Sequence, residues 1–148
     1  MPRPTRILLA VLALLLAACG GTASVPQDSF YTLEIDDPAR RYGEPLLDGV
    51  VEVPPLSADG LLAERALVYR ESGPQLRQYN YHYWVGAPTW LLQDVAVSAL
   101  RTANAANRVV TPELRQLPDW RVQGRIKQLL HVVSGDRAEV VVALELAV

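Results

Sequence analysis

The clearest periodicity lies near the C-terminal end of the chain. Trp120, Val122, Gly124 and Ile126 alternate with Arg121, Gln123, Arg125 and Lys127. A period of two predicts a strand with one face buried and the other wet. Ser134-Gly135-Asp136 reads as a turn, after which Ala138, Val140, Val142, Leu144 and Leu146 alternate again. The two runs predict a long antiparallel hairpin. The chain stops on this apolar strand at Val148. Open apolar strand edges invite aggregation, so the expectation is a fragment whose C-terminal part is truncated.

Upstream the period changes. Leu91, Val95 and Ala99 recur at helical spacing, and Leu92, Ala96, Leu100 and Ala103 form the neighbouring row. Gln93, Asp94, Arg101 and Thr102 fall mostly off this stripe. The pattern predicts an amphipathic helix starting at Pro88 or Thr89 and fading at Asn104 to Asn107. Shorter apolar runs at Phe30–Ile35, Val50–Val53, Ala66–Arg70 and Gln75–Trp84 read as strands. The first is stopped by Asp36-Asp37-Pro38, the second by Pro54-Pro55, and Leu61–Glu64 reads as a helical turn. The expected fold is therefore α+β: a mostly antiparallel sheet of about five or six strands with at least one helix packed on one face.

The N-terminus obeys a different logic. Met1–Arg6 carries Arg3 and Arg6 and no acid, and Ile7–Ala18 carries no charge. That is the basic region and apolar core of a secretory signal. It is too short to span a bilayer, which takes ~20 apolar residues. The run ends Leu16-Ala17-Ala18-Cys19-Gly20, which resembles the lipobox cut by the lipoprotein signal peptidase. Cys19 is the single cysteine of the chain, so an internal disulfide is excluded, and lipidation accounts for it. The resemblance implies a diacylglyceryl group and an amide-linked acyl chain; stable anchoring takes more than one chain. Gly20 stands where an Asp would favour retention at the inner membrane. The expected location is the outer membrane, facing the periplasm, with the inner membrane as the alternative. The organisation expected is a signal peptide at 1–18, a lipidated cysteine and flexible tether at 19–28, and one domain at 29–148.

Composition then narrows the partners. Half of the residues are hydrophobic, a fraction inflated by the signal. Removing residues 1–18 takes away two of 14 basic residues, leaving 12 against 16 acids, a net charge of −4. A mildly acidic domain argues against nucleic acid, whose phosphates need clustered Lys and Arg.

Candidate chemistry is sparse. His82 and His131 fall on predicted strands without a second ligand at metal-like spacing. No phosphate loop or nucleophile elbow is present. No catalytic residue, metal site or cofactor is expected, and the chain is not expected to be an enzyme. The unusual feature is aromatic: Tyr79, Tyr81 and Tyr83 alternate along one predicted strand face, with Trp84 on the other. Two readings compete, a tyrosine ladder stacked on cross-strand neighbours and a binding surface.

The order and spacing of several segments carry a resemblance. Phe30-Tyr31-Thr32-Leu33, Tyr69-Arg70, Tyr79 to Trp84, Ala87-Pro88 and Leu91-Leu92-Gln93 resemble the ABC-type transport auxiliary lipoprotein family, that of the paraquat-inducible lipoprotein PqiC. The likeness covers most of residues 19–148, with Tyr83 where the family usually has Arg. It implies a non-enzymatic component of an envelope lipid-transport system. The implied partners are Mce-domain proteins and ABC permease and ATPase subunits, with phospholipid as the cargo class and a second copy of the chain as a further partner. Tyr69, Arg70, Tyr79, Tyr81 and Trp84 are the expected partner-binding residues. Two other classes compete: a lipid-binding periplasmic lipoprotein of another envelope-assembly pathway, and an envelope hydrolase. A deep apolar cavity would favour the first of these, and a perturbed acid or histidine in a cleft the second.

Overall fold

The computed structural model describes residues 25–34, 40–135 and 137–148. Among them the order is β1 (Ser29–Tyr31), β2 (Leu47–Glu52), β3 (Ala66–Arg70), β4 (Arg77–Trp84), α1 (Pro88–Thr102), β5 (Ala106–Val110), β6 (Trp120–Arg121), β7 (Gln123–Ser134) and β8 (Arg137–Ala147). Single 3-10 turns occupy Gly60–Ala63 and Pro112–Leu114. The signal segment, Cys19, Asp36-Asp37-Pro38 and Asp136 lie outside the described residues.

The predicted hairpin forms. β7 and β8 pair antiparallel from Ser134↔Arg137 to Gln123↔Ala147, with one irregularity between Ile126 and Gln128. Gly135 closes the turn at φ 59°. The expectation of a mostly antiparallel sheet is met only in part, because the strands form two sheets, the larger mixed and the smaller parallel. The larger has the order β1-β4-β3-β7-β8, with β1–β4 and β3–β7 parallel and β3–β4 and β7–β8 antiparallel. The smaller, β5-β2-β6, is parallel throughout. Parallel neighbours need long crossovers: β2 and β3 lie between β1 and β4, and α1 with β5 and β6 lies on the way from β3 and β4 to β7. The chain leaves β4, completes the small sheet by adding β5 and β6 to β2, and returns as β7 on the far side of β3.

This route splits the first alternating run in two. Trp120 and Arg121 pair with Val51 and Glu52, whereas Gln123 onward joins the larger sheet. Val122, whose N–H donates to the Glu52 carbonyl at 2.9 Å, is the joint. Gly124 lies where a Cβ would come within 2.8 Å of Leu56, so its missing side chain lets the segment 56–57 lie against β7. There Ser57 N–H donates to Gly124 O, and Ile126 N–H to Ser57 O, both at 2.8 Å.

The helix joins the two sheets. Near its start Leu92 packs with Leu56, Ile126 and Leu129, and Trp84 closes that cluster. Further on, Val97, flanked by Ala96 and Leu100, packs with Val51, Val53, Ala106 and Val109. The buried face of α1 is Pro88, Leu92, Gln93 and Val97, rotated from the stripe drawn on the sequence, which omitted Val97 and placed Gln93 off it. Gln93 is only 2% exposed. Its Nε2 donates to the Val53 carbonyl at 2.8 Å. Pro54 and Pro55 end the ladder after Val53, and the helix side chain supplies the donor that the buried Val53 carbonyl needs.

Beneath the small sheet lies a buried charge. Glu52 is 5% exposed, and Arg121 Nη2 stands 2.7 Å from its Oε1, an ion-pair contact that is not aligned as a hydrogen bond. Asp119 Oδ2 accepts from the Val50 N–H at 2.7 Å, against Gly49 at φ 92°.

Candidate functional site

The aromatic strand β4 decides the geometry of the site, and a bulge decides β4. Ala66 pairs with Tyr83, but Val68 pairs with Gln78. Regular pairing would have advanced β4 by two residues; here it advances by five, so three extra residues are accommodated opposite Leu67. An odd insertion exchanges the faces of a strand. Tyr79, on one side of the bulge, therefore shares a sheet face with His82 and Trp84 on the other. The expectation of Tyr79, Tyr81 and Tyr83 on one face with Trp84 opposite is corrected accordingly. Tyr83 OH donates to the Asn80 carbonyl, spanning the bulge, and its ring lies 5.9 Å from Phe30.

On the shared face these side chains wall an open groove of about 560 Å³. β1 and the residues after it contribute Tyr31, Thr32 and Leu33; β3 contributes Leu67; β4 contributes Tyr79, His82 and Trp84; β7 and β8 contribute His131 and Val140. The walls are predominantly apolar. Their polar tips come as two matched pairs: Tyr31 OH lies 2.8 Å from His82 Nδ1, and Tyr79 OH lies 2.7 Å from His131 Nδ1. The rings are packed as well as bonded. Tyr79 lies 4.4 Å from Tyr69, edge-on to His82 at 5.3 Å and stacked on His131 at 6.1 Å, centroid to centroid. Burial, with the neighbouring Tyr69 and Glu71, holds the Tyr79 phenol above its usual value.

The sequence-predicted residues separate in space. Tyr79 and Trp84 line the groove, and Tyr69 backs Tyr79 from β3. Arg70 follows Tyr69 at the strand end and pairs with Val132, so its side chain leaves by the opposite face. Tyr81 lies within the bulge, 43% exposed and outside these ring contacts. Cys19 lies outside the described residues. The two histidines, for which the sequence offered no second ligand, are half-buried and each paired with a tyrosine. Their tyrosine partners are 51 and 52 residues away, a distance no local spacing signals.

A second, more polar hollow of about 410 Å³ lies on the other face of the same sheet, lined by Asp28, Phe30, Glu64, Arg65, Ala66, Gln78 and Tyr83. Arg65 stands 5.9 Å over the Phe30 ring and donates to the carbonyls of Trp84 and Val85. Among the described residues no group of three or more His, Cys, Asp or Glu is gathered as metal ligands. No helix among them is long and apolar enough to cross a membrane.

Comparison with known proteins follows the same line. Residues 31–148 match a family described as the ABC-type transport auxiliary lipoprotein component. The fold is similar to the crystal structure of protein XCC0632 from Xanthomonas campestris, with a TM-score of 0.63 and 16% identity over 80% of this chain. This chain covers 66% of that protein's length. A crystal structure of an uncharacterized protein is also similar, with a TM-score of 0.48 and 14% identity over 82% of this chain and 80% of the other. No curated protein matches the sequence.

Proposed function

This chain belongs to the family of ABC-type transport auxiliary lipoprotein components, and on that premise we propose that it is a non-enzymatic part of an Mce-type envelope lipid-transport system. It is anchored through lipid on Cys19 after removal of residues 1–18, and it faces the periplasm from the outer membrane. Energy for transport comes from a separate ATPase, and the chain contributes a binding surface. Its partners are an Mce-domain protein and the permease–ATPase assembly, and phospholipid is the cargo.

The observation that carries this reading is the groove. Aromatic walls with few polar tips are the composition of interface centres. Here the bulge brings Tyr79 and Trp84 to one face, Tyr69 packs on Tyr79 from β3, and Tyr81 is exposed within the bulge. Co-purification of the Mce-domain partner tests it. Tyr81→Ser should leave the thermal melt unchanged and weaken co-purification. Tyr79→Ser should weaken both, because that ring also holds His131 and Tyr69. Full partner recovery with Tyr79 and Tyr81 both replaced, in a folded chain, would defeat the docking role. A second reading, a lipid-binding lipoprotein of another envelope pathway, draws on the groove's size. About 560 Å³ lies within the range of about 300–1,000 Å³ typical of small-molecule sites.

A further inference from the structure

The larger sheet has one long, unguarded edge. β8 runs for 11 residues and, among the described residues, pairs only with β7. The other sheet edges are short: three residues in β1, five in β5 and two in β6. β8 carries no proline and no lysine, and the irregularity in its ladder puts the extra residue on β7. Those are the devices that usually blunt an edge. Its outer N–H and C=O groups therefore stand open to a further strand. Val140, Val142, Leu144 and Leu146 line one face of it, between 40% and 70% exposed.

Charges on the other face name the partner. Arg137, Glu139 and Glu145 alternate there with Val141 and Ala143. An antiparallel copy of β8 centred on Val141 sets Arg137 opposite Glu145 at both ends, Glu139 opposite Ala143, and Val140 opposite Val142. Sliding the copy by two residues one way sets Glu139 opposite Glu145. Sliding it by two the other way leaves every charge opposite an uncharged residue. A slip of one exchanges the faces and sets charges against the apolar row. Unlike charges directly opposite stabilise a strand pair and like charges destabilise it, so the register centred on Val141 is favoured. Within each copy Glu145 already faces Arg125 across β7. The pairing extends this into a row of alternating sign, Arg125, Glu145 and then Arg137 of the second copy.

We infer that β8 pairs with β8 of a second copy of this chain about a twofold axis at Val141, joining the two larger sheets edge to edge. Pairing over Arg137–Glu145 gives about eight to ten backbone hydrogen bonds, the number typical of a whole interface. A twofold contact is closed, so it occupies the long edge of both copies and leaves neither to propagate. It also extends the groove. His131 pairs with Val140, and both line that trough. In the joined sheet the two grooves open on the same side, with Val140 of each copy beside Val142 of the other. The inference goes beyond the docking role and does not depend on it.

The test uses the mature chain, residues 19–148, with Cys19→Ser so that neither lipid nor detergent enters the mass. Sedimentation equilibrium should give a dimer. Arg137→Glu or Glu145→Arg alone should raise its dissociation constant about tenfold or more, because each puts two like pairs in place of two unlike ones. An equimolar mixture of the two variants should recover the dimer, since the mixed pair again has two unlike contacts. Glu145→Arg also meets Arg125 and Lys127 of its own chain, so a register test with all charges intact runs beside it. Val141→Cys should cross-link on air oxidation, since facing Cα atoms lie about 4.5–5.5 Å apart, within disulfide reach. Ala143→Cys, whose two copies lie four residues out of register, should not. A monomer at all concentrations, open-ended aggregates, a mixture no tighter than either variant alone in chains that melt normally, or cross-linking at Ala143 in preference to Val141 would each overturn the inference. A monomer that loses co-purification of the Mce-domain partner in Arg137→Glu would also overturn it, and would assign the edge to a strand of that partner.

Discussion

Replacing Gln93 tests the junction on which both sheets depend. Its amide is 98% buried and donates to the carbonyl of Val53, a residue 1% exposed and followed by two prolines. Gln93→Leu keeps the volume and removes the donor. The Val53 carbonyl then remains buried and unpaired, a loss of ~1–3 kcal/mol. At roughly 4 °C per kcal/mol for a domain of this size, the melting temperature should fall by about 4–12 °C. Gln93→Ala adds a cavity between Leu92 and Val97 and should lose ~3–5 kcal/mol. Gln93→Glu puts a carboxyl against a carbonyl oxygen, which disfavours its ionised form and raises its folded pKa. An acid with a raised folded pKa is fully tolerated only below its unfolded value of about 4.3. Stability of this variant should therefore fall as pH rises from about 4 toward neutrality. Circular dichroism melts at several pH values read all three. A Gln93→Leu melt within about 1 °C of the parent, or a Gln93→Glu melt flat with pH, would refute the role given to this amide.

Leu92→Ala should lose ~2–5 kcal/mol and Leu100→Ala less, because the first is 7% exposed and the second only partly buried; the solvent-facing Asp94→Ala is the control, since Arg101 donates twice to the Val109 carbonyl and is not neutral. A Leu92→Ala melt equal to that control would mean the helix face is wrong. Gly49→Ala should unfold the β2–β6 edge, as φ 92° strains any side chain and a Cβ would sit 2.2 Å from Asp119 Oδ2; a fully folded variant with unchanged amide exchange at Val50 would contradict this. The raised Tyr79 phenol favours its protonated form in the fold, so its contribution is present below the ordinary value of 10.0 and is lost as pH rises above it. Tyr79→Phe should flatten that alkaline decline, and an unchanged slope in denaturation above pH 10 would refute the assignment. Cys19→Ala should leave the precursor uncut and unlabelled by a radioactive fatty acid; continued labelling would remove the anchor.

Local pattern was sufficient wherever neighbours in sequence do the work. The period of two at Trp120–Lys127 and Ala138–Leu146 specified the hairpin, because a tight turn leaves the second strand one partner, but not that Trp120 and Arg121 leave it for the smaller sheet. Helical spacing located the start of α1 at Pro88, with Ala87 rather than Thr89 preceding it, while the helix ends at Thr102, short of the expected fading at Asn104 to Asn107. Order and spacing of short segments also carried the family. What periodicity supplies is a face, and a face names no partner. It could not show that β3 lies parallel to β7, or that Ala106–Val110 is a buried strand, since those pairings depend on crossovers through the second sheet. Nor could it show which polar residue the helix buries: Gln93 is inside because the Val53 carbonyl, where the β2 ladder ends, takes its amide as donor. The groove was hidden for the same reason. Three extra residues opposite Leu67 exchange the faces of β4, and only then do Tyr79, His82 and Trp84 meet Tyr31 and His131 from strands some fifty residues distant. Alternation is a local rule with a sign, and the pairing across the sheet sets that sign.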